Sequence, residues 1–154
     1  VVLTNQKKIV ATKNDLSALQ KLTDDRFLQG NLLNALQQAT VPGVQLMRLR
    51  VDQTYEDVDA TAPQTGDDGT VIPGRPGSAT EKIVVNLDAR DYSSNPGDEV
   101  DKFKDVISRE PYFQTALDRT NGIRLMNLSP PQIGADGRPS VLFTLQCTYP
   151  DQKR

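Results

Sequence analysis

Between residues 141 and 149 the chain alternates without a break, with Val141, Phe143, Leu145, Cys147 and Tyr149 set against Leu142, Thr144, Gln146 and Thr148. Successive side chains of a strand point to opposite faces, so this pattern describes a strand with one buried and one wetter face. Such a strand belongs to an antiparallel sheet covered on one side, because parallel strands are buried on both. The same period recurs over 44–55, where Met47, Leu49, Val51 and Tyr55 oppose Arg48, Arg50, Asp52 and Thr54. It returns with Ile83, Val85 and Leu87 against Lys82, Asn86 and Asp88. A fourth strand region, 122–133, carries Ile123, Leu125, Met126 and Leu128 ahead of Pro130-Pro131, a pair tolerated only at an edge or a strand end. Gly134-Ala135-Asp136-Gly137 then reverses the chain into the last strand.

Between the strands the period lengthens to that of a helix. Phe27, Leu28, Leu32, Leu33, Leu36 and Ala39 form a broad apolar stripe over 24–39, and Pro42-Gly43 ends it. Thr23, followed by Asp24 and Asp25, has the chemistry of an N-cap. Asn95-Pro96-Gly97-Asp98 is a second helix start, with Asn95 placed to cap and Pro96 in the first turn. Val100, Phe103, Val106 and Ile107 make its buried stripe, and Pro111 interrupts it before a short turn bearing Tyr112, Phe113 and Leu117. Ahead of all this, residues 1–22 read as a polar helical stem with a narrow seam. Val2, Ile9 and Leu16 recur every seven residues, with Leu19 and Leu22 nearby, which suits a coiled coil.

The element order is stem, then α, β, β twice over. It predicts an α+β domain over 23–150 with permuted ferredoxin-like (αββαββ) architecture, a four-stranded antiparallel sheet with two helices on one face. The two halves share no evident sequence similarity, so the repeat is expected in structure alone. Residues 56–79 hold three prolines, four glycines and five acids against one arginine, with no apolar period, and read as an inserted flexible loop. Residues 151–154 read as a tail.

Composition narrows the chemistry. The 154 residues carry a net charge of -2 and no histidine, which removes the commonest general base and metal ligand. Cys147 sits on the apolar side of its strand with no imidazole to activate it. Asp67-Asp68-Gly69 lacks the further acids of a calcium loop. Asp57 with Asp59, and Asp98 with Glu99, are acids of a loop and of a helix start. Asp88 and Asp91 flank Arg90, which points to surface ion pairing. No catalytic, cofactor or metal site can be assembled, and no enzyme is expected. The outward positions Arg48, Arg50, Lys82, Asn86, Thr144 and Gln146 offer no aromatic platform for nucleic acid. No apolar run reaches the ~20 residues of a membrane helix.

Two blocks carry a family resemblance. One is the leucine-rich helix Leu32-Leu33-Asn34-Ala35-Leu36 leading through Pro42-Gly43-Val44-Gln45-Leu46 into a strand; the other is a helix followed by Glu110-Pro111-Tyr112-Phe113 and a strand pair. Together they resemble the periplasmic domain of PilN-type proteins of the type IV pilus inner-membrane platform, and the related type II secretion platform proteins. The resemblance implies a non-catalytic assembly role, a periplasmic setting and a membrane anchor upstream of Val1. It also implies pairing with a homologous platform protein, for which Val2, Ile9, Leu16, Leu19 and Leu22 are the candidate interface. The long segment 56–79 departs from that scheme. A regulatory small-molecule-binding domain of ferredoxin-like fold is the alternative.

Overall fold

The computed structural model describes residues 2–24, 26–27, 29–65 and 70–153. Two compact units divide the chain, Val1–Leu33 and Asn34–Arg154. In chain order the elements are α1 (Val2–Asp24), α2 (Gln29–Gln38), β1 (Val44–Val58), β2 (Gln64–Thr65), β3 (Val71–Ile72) and β4 (Ser78–Asp91). They continue as α3 (Asp98–Arg109), α4 (Pro111–Ala116), β5 (Ile123–Leu128), β6 (Gln132–Ile133), β7 (Pro139–Thr148) and β8 (Gln152–Lys153).

The first unit is dominated by α1, whose end differs from expectation. Thr23 does not cap the next helix. Its hydroxyl donates to the Leu19 carbonyl at 3.0 Å, a bond to the preceding turn that keeps Thr23 and Asp24 inside α1. The second helix therefore begins at Gln29, not at 24, and Leu28 lies outside the described residues. Along α2 the buried stripe is Leu32, Ala35 and Leu36, continued by Ala39, while Leu33 is turned outward.

The second unit is built on a large antiparallel sheet of six strands, not four. Four long strands run in the order β1-β4-β7-β5, with β6 paired to β7 and β8 to β4. The additions have local causes. Pro130-Pro131 cannot donate to a ladder, so the region 122–133 splits into β5 and β6, which pair with successive stretches of β7. The expected tail 151–154 contributes Gln152 and Lys153, which pair with Glu81 and Thr80.

Residues 56–79 also depart from expectation. Strand β1 runs on to Val58, opposite Ser78, followed by a Thr61–Arg75 bridge and then the β2–β3 pair. The described residues of the segment form a two-stranded ribbon prolonging β1 and β4. Its backbone groups pair across the ribbon, so it needs no apolar stripe to form; Asp67-Asp68-Gly69 falls outside the described residues.

One sheet face is the core. Ile83, Val85, Leu87 and Ala89 of β4 lie beside Val141, Phe143, Leu145 and Cys147 of β7, all buried. Helix α3 covers them with Val100, Phe103 and Ile107, the Phe103 ring meeting Phe143 edge-on at 5.9 Å. Glu110 caps α4, accepting from the Phe113 amide at 3.2 Å, and Pro111 follows in the first turn. Phe113 and Leu117 are buried, and Tyr112 meets the Tyr149 hydroxyl at 3.1 Å.

The edge strand β1 follows this alternation only in part. Leu49 and Val51 pair with Leu87 and Val85 as their pattern requires, but the register slips between Leu46 and Arg48. Met47 is the extra residue of that bulge and is 56% exposed rather than buried. Tyr55 keeps its side of the strand yet is exposed; with Gln53 it hydrogen-bonds the buried Glu81 carboxylate.

The bulge uncovers a repeat. Gly43-Val44-Gln45-Leu46-Met47-Arg48-Leu49 and Gly122-Ile123-Arg124-Leu125-Met126-Asn127-Leu128 share glycine, both leucines and methionine in order, and both slip at the methionine. Arg48 pairs with Asp88, Asn127 pairs with Thr144, and Asp88 pairs with Thr144. Equivalent positions of the two ββ pairs thus face each other, and a local pseudo-twofold passes between Asp88 and Thr144.

Asp91 sets the start of α3. It is wholly buried on the core side of β4, on the face opposite Asp88, and is no surface ion-pair partner for Arg90. Its carboxylate accepts from the amides of Ser93 at 2.9 Å, Gly97 at 2.7 Å and Glu99 at 3.2 Å. The cap expected from Asn95 is therefore supplied from the end of a strand, and Gly97 turns into the helix at φ 111°, where a side chain would be strained. Burial works to raise the Asp91 carboxyl, but the Ser93, Gly97 and Glu99 amides and the Ser93 side chain outweigh it and hold it below its ordinary value.

Two outcomes follow for stability, read by urea denaturation. Phe143→Ala is expected to cost about 3–5 kcal/mol and Thr144→Ala far less, since only the former lies in the core; equal effects would contradict this register. Asp91→Ala is expected to cost about 2–3 kcal/mol at neutral pH. Because the folded carboxyl is depressed, this contribution is complete above the unfolded value of ~3.9 and is lost as the pH falls through the folded one. The Asp91→Ala protein should therefore approach wild type in acid, and a difference independent of pH would refute the capping role.

Candidate functional site

The face of the sheet opposite α3 carries a polar array in rows that cross the strands. One row is Arg48, Asp88, Thr144 and Asn127; the next is Arg50, Asn86, Gln146 and Arg124. Sequence patterning assigned Arg48, Arg50, Lys82, Asn86, Thr144 and Gln146 to this side, and all six line one shallow depression of about 530 Å³. Besides Val84 of β4, patterning missed Met126 and Asn127 among its lining residues. Their placement depends on the β5 bulge, for which only the repeated Leu-Met pair is a visible signal.

The array is cross-linked. Arg48 Nε meets Asp88 at 2.8 Å, and the Thr144 hydroxyl donates to the other Asp88 oxygen at 2.8 Å. Asp52 accepts from Arg50 and from Asn86, both at 3.0 Å, and Gln146 donates to the Asn86 carbonyl at 3.3 Å. The Thr144 bond, then the Arg48 bond, hold the Asp88 carboxyl below its ordinary value against the opposing effect of burial. Arg90 lies one row further along. It donates to the Gln45 side-chain carbonyl at 3.0 Å and lies 5.8 Å from the Tyr92 ring centre.

The central cross of this face is four arginines, Arg48, Arg50, Arg90 and Arg124, against two aspartates, Asp52 and Asp88. The chain as a whole is net acidic, so the face is locally basic. Arg90 and Arg124 make no ion pair among the described residues. Met47, Met126 and Leu142, each at least 44% exposed, surround the charges.

The seam candidates lie on α1, in the first unit. Ile9, Leu16, Leu19 and Leu22 are between 57% and 68% exposed, as is Val10, and the Val2 side chain lies outside what is described. At 100° per residue Ile9, Leu16 and Leu19 fall within about 80° of one another, whereas Leu22 lies about 140° round α1 from Ile9. Cys147 is wholly buried, and burial pushes its thiol up to about 12. Among the described residues no cluster of Cys, Asp and Glu could hold a metal ion, and no helix is long and apolar enough to cross a membrane. The remaining acid pairs separate into single roles. Glu99 pairs with Lys102 at 2.7 Å, while Asp57 and Asp59 lie exposed at the root of the ribbon. Comparison with family models, with curated proteins and with solved structures found no match.

The array makes a prediction for titration. Carboxyl NMR should place Asp88 below ~3.9. Thr144→Val should raise it further than Arg48→Ala, because the hydroxyl bond is the larger influence. The reverse ranking would mean that the ion pair, not the Thr144 bond, sets the electrostatics of this face.

Proposed function

We propose that this chain is a non-catalytic assembly domain that pairs through α1 with a helix of matching pattern, in a second copy or a homologous partner. The observation that carries this reading is Ile9 and Leu16, seven residues apart on α1 with Leu19 on a neighbouring position, each more than half exposed. Single exposed leucines are ordinary, but a seven-residue recurrence on a polar helix is the pattern of a pairing seam. At ~25 cal/mol per Å² a few such side chains contribute several kcal/mol before association entropy is subtracted, which corresponds to weak pairing, roughly micromolar.

The more specific identity rests on resemblance. The long strands, in sequence order first, second, fourth and third across the sheet, agree with a permuted ferredoxin-like topology to which the short strands are additions. With the stem ahead of it, that topology is the scheme of the periplasmic domain of PilN-type platform proteins of type IV pili. On this reading the domain is periplasmic, held at the inner membrane by an upstream anchor that also raises its local concentration for pairing. The second reading, a regulatory small-molecule-binding domain, draws on the 530 Å³ depression, whose lining supplies converging polar groups.

Disulfide trapping tests the stem. The native Cys147 is buried and stays silent, so Leu16→Cys reports on α1 alone. Leu16→Cys is expected to give a disulfide dimer much faster than Asn14→Cys, which lies on the other side of the helix. Equal trapping of the two, or none from Leu16→Cys with or without a homologous partner, would make the stem a spacer.

A further inference from the structure

We infer that the outer edge of β1 pairs antiparallel with the β1 edge of a second copy of this chain, about a twofold axis through Val51, so that two sheets join into one. This surface lies in the second unit; it goes beyond the pairing of α1 and does not rest on it. Among the described residues β1 pairs with β4 alone, so every second residue along it turns its N–H and C=O away from the sheet. Such a row of groups is a template for another strand, and proteins ordinarily blunt it. The two outer strands are blunted unequally. β5 has six residues and slips in its middle, between Leu125 and Asn127. β1 has fifteen and slips only near its start, and its register then runs without a break from Arg48 to Val58. The apolar rows of the core also stop short there. Leu87 and Val85 are wholly buried, whereas their β1 neighbours Leu49 and Val51 are only half-buried, because no described strand lies beyond them.

The residues of β1 identify the occupant, because the edge is complementary to itself. A twofold through Val51 sets Arg50 against Asp52 of the second copy, and Asp52 against its Arg50. Val51 then faces Val51, Leu49 faces Gln53, and Arg48 faces Thr54 with Asp52 of the second copy on the diagonal. The neighbouring registers fail. With the axis one position to either side, Arg50 meets Arg50 or Asp52 meets Asp52, and like charges directly opposed are destabilising. An axis at Leu49 opposes Arg48 to Arg50, and an axis at Gln53 opposes Leu49 to Asp57. Arg50 and Asp52 are within reach of a partner, their side chains 67% and 45% exposed, and the 3.0 Å pair they make with each other can be exchanged for two pairs across the interface. A surface that meets its own copy in this way is isologous, so association closes at a dimer.

Disulfide trapping and charge exchange in the full chain test this. The parent protein carries Leu16→Asp and Leu19→Asp, so that pairing through α1 does not contribute. Opposed residues of an antiparallel pair lie about 4.5–5.5 Å apart at Cα, within disulfide reach, whereas Thr54 would lie about 20 Å from its own copy. Val51→Cys should therefore be trapped as a dimer much faster than Thr54→Cys. Chance collision gives the opposite order, because Thr54 is exposed and Val51 half-buried; the native Cys147 is buried. In sedimentation equilibrium the parent should form a dimer and nothing larger, and Arg50→Asp or Asp52→Arg should each weaken it at least tenfold, with circular dichroism unchanged. An equimolar mixture of these two variants should restore the dimer, because each changed position then meets the opposite charge. Arg124→Asp, the same change of charge on the other outer strand, should leave the dimer intact. A parent that stays monomeric at millimolar concentration, Thr54→Cys trapped as fast as Val51→Cys, a mixture no tighter than its components, or an equal loss from Arg124→Asp would overturn the proposal. None of these results bears on disulfide trapping at position 16.

Discussion

The fold hangs on a carboxylate that water does not reach. Asp91 ends β4 on its core side, and burying a carboxylate is costly unless hydrogen bonds replace its hydration. The amides of Ser93, Gly97 and Glu99 supply that replacement, and in doing so they fix the path from strand to helix. The first turn of α3 is thereby held at the end of β4, which directs Phe103 and Ile107 over β4 and β7 and brings Phe103 onto Phe143. The favourable end of the α3 dipole lies against the negative charge as well. Removing the carboxylate would leave amide donors buried without partners, so this link is coupled to the whole helix–sheet layer.

A second constraint is the internal likeness of the two ββ pairs. The glycine–leucine–methionine–leucine strands β1 and β5 slip by one residue at the same methionine, and their partners β4 and β7 meet around Asp88 and Thr144. The two bulged strands become the two ends of the long-strand path, and bulges at edges blunt further ladder pairing. The second strands become the centre, where alternate residues are almost wholly buried. Edge and centre in this sheet therefore follow from position in the repeat.

Charge is distributed unevenly over the second unit. The open face gathers arginines at both outer strands, Arg48 and Arg50 on β1 and Arg124 on β5, so a chain of net charge -2 presents a locally basic surface. Arg48 and Arg50 are held by Asp88 and Asp52, which orients them without neutralising the face. Cys147, the one thiol, is locked in the core with its ionisation suppressed.

Sequence by itself determined what depends on local period and backbone chemistry. Alternation assigned the faces of β4 and β7, so Phe143 is buried and Thr144 is not, and it collected six residues of the open face correctly. Pro111 and the Gly134–Gly137 turn marked breaks that the backbone must make, with Gly137 at φ 71°. Tertiary structure decided what depends on pairing at a distance. A bulge such as that at Met47 exists only relative to a partner strand, so period-two counting wrongly placed that residue in the core. Acid-rich, glycine-rich residues 56–79 read as a loop because cross-strand hydrogen bonds leave no hydrophobic trace. The cap on α3 came from Asp91, not from the adjacent Asn95, because a helix amide donates to whichever buried oxygen the fold brings to it, however far back in the chain that oxygen lies.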